Sequence, residues 1–348
     1  MGTLKDLLLP WFLPRRRPLP WREEITPYRV WISEIMLQQT RIEAVIPYFH
    51  RFLDAFPTVA HLAAADDDKL NKCWEGLGYY SRARNLKKAA GVILTEYGGA
   101  LPRSEEELLT LPGIGPYTAA AIASLAFGLP APAVDGNVLR VYTRLTADGE
   151  EVTSPALRRR VVEFLKSEYP DEGEECRYMT EALMAVGQDV CLPNGRPKCE
   201  ECPLCAVCRA HGTGKETAYP NKPPKKARRG EEYTVFLFRC GDRFALELRP
   251  KDGLLAGLWQ FPNLSGHLSP EDARAVAEGF GLSPIGVTAL PKAKHIFTHV
   301  EWDMVGYLVE CEGESDRFVF ASPSEILATY PIASAFRAYR KIAAPDGK

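Results

Sequence analysis

One change of pattern, close to residue 212, constrains this chain more than any other feature. From about residue 25 to residue 190 the sequence looks predominantly helical. Stop signals recur at Pro47, Pro57, Gly98-Gly99, Pro112 and Pro130, and stretches such as Thr118–Ala126 are rich in small apolar residues that suit close helix packing. Residues 212–232, GTGKETAYPNKPPKKARRGEE, replace that pattern with prolines, glycines and charges. They read as a linker, whose basic KPPKKARR core can also rest on phosphates. Beyond it the apolar period switches to two. Residues 233–238 and 243–249 read as strands, and Ser269 starts a helix as N-cap with Pro270 in its first turn. The expected organisation is therefore a mostly α domain over 1–211, a linker over 212–232 and a smaller α+β domain over 233–348.

Composition sets outer limits. With 348 residues, 46% apolar and 25% charged, the chain is globular and long enough for two cores. The apolar stretch Leu7–Leu13 is too short to span a bilayer, and Arg15-Arg16-Arg17 follows it instead of preceding it. A soluble cytoplasmic protein is expected, with no membrane partner. Net charge is −2, so contact with a polyanion would rest on local clusters.

The stretch LPGIGPYTAA (111–120) has the form of a helix–hairpin–helix turn, spanning about residues 107–125. Gly113 and Gly115 permit close backbone approach, and amides at the start of the following helix attract phosphate oxygens without reading sequence. Further on comes AVDGNVLR (133–140). Alone, Asp-Gly-Asn marks a turn or a helix cap. Joined to LPGIGPYTA, it resembles the helix–hairpin–helix base-excision DNA glycosylases, whose essential aspartate lies where this chain has Asp135. The bifunctional endonuclease III branch of that superfamily carries a nucleophilic lysine at the position of Tyr117. With no amine there, the resemblance implies a monofunctional enzyme that removes a base and leaves the strand intact.

The N-terminal motifs narrow the resemblance. Residues 20–42 place Trp31, Ile35 and Ile42 on one helical face, with Glu34 at its edge. LPW, SEIMLQQT and WEGLGYYSRARNL together resemble the adenine DNA glycosylases of the MutY type, over essentially the whole chain. This implies double-stranded DNA as partner, containing adenine opposite 8-oxoguanine or guanine, and a monomer acting on it. Glu34 would protonate the departing adenine, Asp135 would stabilise the cationic sugar, and Tyr117 and Asn137 would orient the carboxylates and water. Trp21 and Arg22 match residues beside the extruded base. Gln38, Gln39 and Tyr79 match residues that enter the helix near the lesion. Where some relatives have a basic residue before Arg140, this chain has Leu139.

Residues 191–208, CLPNGRPKCEECPLCAVC, hold five of the nine cysteines. Thiols at such spacings in a large cytosolic chain mean metal, with zinc as the generic metal. The resemblance implies instead a [4Fe–4S] cluster on Cys191, Cys199, Cys202 and Cys208, with Cys205 the competitor for the last place. The first gap holds seven residues, one more than the family pattern, and the Asn194-Gly195 turn can absorb it.

In the C-terminal domain, RAVAEGFGL (274–282) is similar to the Nudix hydrolase signature. Ala275 and Gly279 stand where two metal-binding glutamates belong, so a Nudix-like fold without hydrolase activity is expected. Phe297-Thr298-His299 occupies the place of the Phe-Ser-His loop that probes 8-oxoguanine, with threonine for serine. Two other readings compete: a pyrimidine-damage glycosylase/lyase of the endonuclease III type, and a non-catalytic DNA-binding scaffold. Tyr117 and SEIMLQQT argue against the first, and the presence of both Glu34 and Asp135 against the second.

Overall fold

The computed structural model describes residues 2–224 and 227–345. Lys225 and Lys226 of the basic linker lie outside them. The chain forms two compact units, Met1–Ala64 with Asn85–Lys225, and Ala65–Arg84 with Lys226–Lys348.

The first unit is helical because its stop and start signals act locally. Thr26 caps the helix Pro27–Leu37, its side chain accepting from the Arg29 amide, with Pro27 in the first turn. That helix ends at Leu37, and Gln39 adopts φ +59°. Ile42 therefore opens the next helix, Ile42–Ala55, and does not share a face with Trp31 and Ile35. Trp31, Ile35 and Met36 are buried, each contributing about 1.5–3 kcal/mol relative to exposure. The hairpin helix Pro116–Phe127 is buried on all sides from Thr118 to Leu125, as expected where alanine and leucine occupy every face. It packs between Pro27–Leu37 and the helix Glu174–Ala185. Ser124 Oγ, buried there, donates to Cys176 O at 3.0 Å.

Among the described residues, the second unit is built on seven strands: β1 (Arg229–Cys240), β2 (Arg243–Leu248), β3 (Trp259–Gln260), β4 (Asn263–Ser265), β5 (Ser283–Ile296), β6 (Val300–Glu312) and β7 (Val319–Ala321). The order is β3-β2-β1-β6-β5, with β4 paired to β1 and β7 to β2. β1 and β6 run parallel, in register from Arg229↔Val300 to Arg239↔Glu310. The helix Pro270–Gly279 carries a full capping box between Ser269 and Asp272 and buries Ala273 and Ala277 beside Phe236 and Phe238. Both expected strands form, β1 beginning at Arg229.

Residues 65–84 depart from the expected 1–211 domain, because their packing partners lie in the C-terminal unit. Trp259 Nε1 donates to Asp68 Oδ1 at 3.3 Å, Arg84 Nη1 to Ala256 O at 2.7 Å and Asn71 Nδ2 to Gly257 O at 3.3 Å. Polar side chains of this segment thus satisfy backbone carbonyls more than 170 residues away. Among the described residues, no helix is long and apolar enough to cross a membrane.

Candidate active site

A cleft of about 1530 Å³ in the first unit brings together Trp21, Arg22, Glu34, Gln38, Gln39, Tyr117, Asp135 and Asn137. Glu34 projects from the helix that starts at Pro27 and is almost fully buried. Tyr117, in the first turn of the hairpin helix, donates its hydroxyl to Glu34 Oε2 at 3.2 Å. Burial pushes the Glu34 carboxyl up to about 7; the Tyr117 hydrogen bond and the Arg22 charge oppose that rise, and Asp135 adds to it. Burial, followed by the two nearby carboxylates, also lifts the Tyr117 phenol well above its ordinary value, so it remains a donor.

Asp135 caps the helix Gly136–Thr146. Its Oδ1 accepts from the amides of Asn137 at 2.9 Å and Val138 at 2.8 Å, and its Oδ2 from Asn137 Nδ2 at 2.7 Å. Three N–H donors at a helix N-terminus therefore surround this carboxylate. The two acids thus meet opposite environments inside one cleft.

Arg140 fixes the Asn137 amide. A guanidinium only donates, and its Nη2 reaches Asn137 Oδ1 at 2.9 Å, so the amide nitrogen must face Asp135. Arg140 is itself held by Cys191 O at 2.7 Å and Gly187 O at 2.7 Å. Gly187 has to be glycine for this approach: a Cβ there would lie 2.8 Å from Asn137 Cβ. Arg22 is held by Glu181, whose Oε1 is 3.1 Å from Arg22 Nε while Oε2 accepts from Arg16 Nε at 2.7 Å. Sequence reasoning missed Glu181 and Arg16, because nothing in EALMAVG or RRRPLP marks two residues 165 apart as partners.

Gln38 Nε2 donates to Thr118 Oγ1 at 3.2 Å, which ties the end of its helix to the hairpin helix. In the hairpin, Gly113 has φ +80°, and a Cβ there would stand 2.6 Å from Asn85 Cβ. Gly115 caps the hairpin helix and faces open space.

The second unit holds the other candidates. Tyr79 is half exposed, has φ +48°, and its Oη lies 3.2 Å from Thr298 Oγ1. Phe297 N donates to Val300 O at 2.8 Å, closing the loop between β5 and β6, and His299 O accepts from Arg229 N at 3.0 Å. Phe297 meets the edges of His295 and Trp302, with centroids at 4.5 and 5.0 Å. The sequence places Tyr79 in the helical domain; packing places it beside the 297–299 loop.

Cys191, Cys199, Cys202, Cys205 and Cys208 line one small pocket. Burial holds the thiols of Cys199, Cys202 and Cys208 above their usual range, with mutual repulsion adding to it, so as free thiols they stay protonated until a metal displaces the protons. The buried Arg144 guanidinium donates to Cys191 Sγ at 3.2 Å. Gly195, at φ +70°, turns the loop so that Lys198 N returns to Val190 O at 3.0 Å, which absorbs the seven-residue gap. A sulfur-rich donor set of this kind fits an iron–sulfur cluster. His211 and Glu216, hydrogen-bonded at 2.6 Å, also approach Cys199, and neither was expected from the sequence.

Residues 32–167 match the family described as HhH-GPD superfamily base excision DNA repair protein, and residues 234–341 match the NUDIX domain family. The adenine DNA glycosylase of Rattus norvegicus is 33% identical over 88% of this chain and 70% of its own length. That of Buchnera aphidicola subsp. Schizaphis graminum is 33% identical over 75% of each. Among solved structures, a thermostable thymine-DNA glycosylase superposes with a TM-score of 0.54 at 29% identity, covering 60% of this chain and 95% of its own. A non-covalent endonuclease III–DNA complex gives 0.51 at 27% identity, covering 62% and 99%.

Proposed function

This chain belongs to the adenine DNA glycosylases of the HhH-GPD base-excision superfamily, and from that premise we propose that it excises adenine paired with 8-oxoguanine or guanine, acting as a cytoplasmic monomer. It is a monofunctional hydrolase of N-glycosyl bonds, and its substrate is DNA. The observation that carries the assignment of roles is the contrast between Glu34, buried with its carboxyl near 7, and Asp135, faced by three N–H donors, in one cleft.

Adenine must leave the duplex to reach that cleft. Glu34 then donates its proton to a ring nitrogen, N7, turning the base into a better leaving group. As the glycosidic bond breaks, its electron pair goes to adenine and positive charge grows on the sugar. Asp135 stabilises that charge from the other side, directly or through a covalent intermediate, and water completes the hydrolysis. Asn137 and Tyr117 orient the two carboxyls. Tyr117 supplies no amine for a Schiff base, so strand cleavage is not part of the reaction. Trp21 and Arg22 flank the extruded base, Gln38, Gln39 and Tyr79 fill the space it leaves, and Gly113 and Gly115 hold the backbone. Phe297, Thr298 and His299 read the opposite base.

Cys191, Cys199, Cys202 and Cys208 hold a [4Fe–4S] cluster in this reading, and the cluster supplies the cross-links that fix the 191–208 loop. The Nudix-like unit reads the lesion without hydrolysing nucleotides.

A labelled duplex containing A opposite 8-oxoguanine tests the reaction. Cleavage only after hot alkali is the expected result; cleavage without alkali would assign a lyase, and none at all a scaffold. Glu34→Gln and Asp135→Asn should each slow base release by at least about a hundredfold while duplex binding persists.

A further inference from the structure

The turn Gly76–Tyr79 is conformationally demanding. φ is +104° at Gly76, +71° at Gly78 and +48° at Tyr79. Glycine accepts such angles, but tyrosine does so only when its surroundings over-determine them. Those surroundings are specific. Trp74 Nε1 donates to Gly78 O at 3.0 Å. Arg82 Nη2 donates to both Leu77 O and Gly78 O at 3.1 Å. The guanidinium carbon lies 5.3 Å from the Trp74 ring centroid and 5.7 Å from that of Tyr79. Arg82 is 8% exposed and Tyr79 has a side chain open to solvent, so a buried cation grips the turn from below while the ring stands above it. At the far end of that ring, the Tyr79 hydroxyl meets Thr298.

We propose that Arg82 is a positioning residue for lesion recognition: its guanidinium locks the Leu77–Tyr79 backbone so that the Tyr79 ring meets DNA already aimed, with its hydroxyl on Thr298. The inference rests on the reading that Tyr79 acts beside the 8-oxoguanine. Arginine is required because one nitrogen serves two successive carbonyls while the guanidinium plane stays available to two aromatic rings. A lysine ammonium provides the charge without that plane. None of this alters the cleft that releases adenine, so the effect falls on the choice of opposite base.

The experiment is a double-mutant cycle in the full-length, cluster-loaded protein. Single-turnover adenine release is measured for wild type, Arg82→Lys, Tyr79→Ala and the double variant, on duplexes carrying adenine opposite 8-oxoguanine and opposite guanine. The readout is the ratio of the two rates. Arg82→Lys should lower that preference by about tenfold, as loss of a charged bifurcated contact allows, and should add nothing once Tyr79 is alanine. Two results overturn the inference while leaving the role of Tyr79 intact: Tyr79→Ala lowers the preference and Arg82→Lys does not, or the two losses multiply. Equal loss on both duplexes with a lowered melting temperature also overturns it, since it would make Arg82 a purely structural residue. An unchanged preference in Tyr79→Ala overturns the underlying reading and the inference with it. Should Arg82→Lys fail to fold, Arg82→Gln, a shorter neutral side chain that keeps a planar amide donor, carries the same cycle with the same outcomes.

Discussion

Glu34 and Glu181 are both buried in the first unit, yet the fold treats them differently. Glu181 is met by two arginines, Arg16 and Arg22, whereas Glu34 is met by a phenol. The proton on Glu34 compensates for burial in the second case as cations do in the first. With the carboxyl near 7, the protonated fraction falls as pH rises through that value, so base release should fall about tenfold per unit above it. Stability should change in the same direction. The folded state binds this proton more tightly than the unfolded chain, whose carboxyl titrates near its ordinary 4.5. The Glu34 contribution is therefore complete below about 4.5 and is lost as pH rises through about 7. Urea melts at pH 5 and pH 8 check this: Glu34→Gln should gain on the order of 2 kcal/mol over wild type between those two pH values. The identity of this glutamate was legible in SEIMLQQT; its raised carboxyl was not, because burial of the side chain causes it and that burial exists only in the folded chain.

The helix Gly136–Thr146 shows what a single element contributes. Asp135 caps it, and Asn137 and Arg140 lie three residues apart on one face, where side chains of neighbouring turns meet. One turn further on, Arg144 reaches Cys191 Sγ. The helix is thus a short rod with the Asp135 carboxylate at one end and the cysteine loop along its flank. Arg140→Met should free the Asn137 amide to rotate and slow single-turnover base release by about tenfold, the cost of one buried charged hydrogen bond. The Glu34 pH midpoint should stay in place, which separates this loss from a disturbed acid. VDGNVLRV announced the cap and its carboxylate. It did not announce Arg140 as the brace, because the partners that hold Arg140 lie on Gly187 and Cys191. Similarly, a helical period over residues 31–42 was misleading: the pattern continues through Ile42, but the backbone breaks at Gln38–Gln39.

Across the molecule, candidate residues fall into two sets. Glu34, Tyr117, Asp135 and Asn137 lie in the first unit, while Tyr79, Phe297, Thr298 and His299 lie in the second. Chemistry and recognition should therefore separate in experiment, since sites that share no partner residues add. Thr298→Val, which replaces the hydroxyl with a methyl of similar size, should reduce the preference for 8-oxoguanine over guanine by about fivefold and leave the pH midpoint of base release unmoved. Rates on both duplexes across a pH series check this, and a shifted midpoint would contradict the separation.

The sequence alone determined the caps, the helix stops, the strand period, the hairpin glycines and the cysteine spacing, because each depends on residues a few positions apart. Only the tertiary structure decided that burial raises the Glu34 carboxyl to about 7, that Arg140 braces Asn137, and that residues 65–84 carry Tyr79 into the company of β5 and β6. Those outcomes depend on which distant groups exclude water or donate a hydrogen bond, and the chain acquires such neighbours only when it folds.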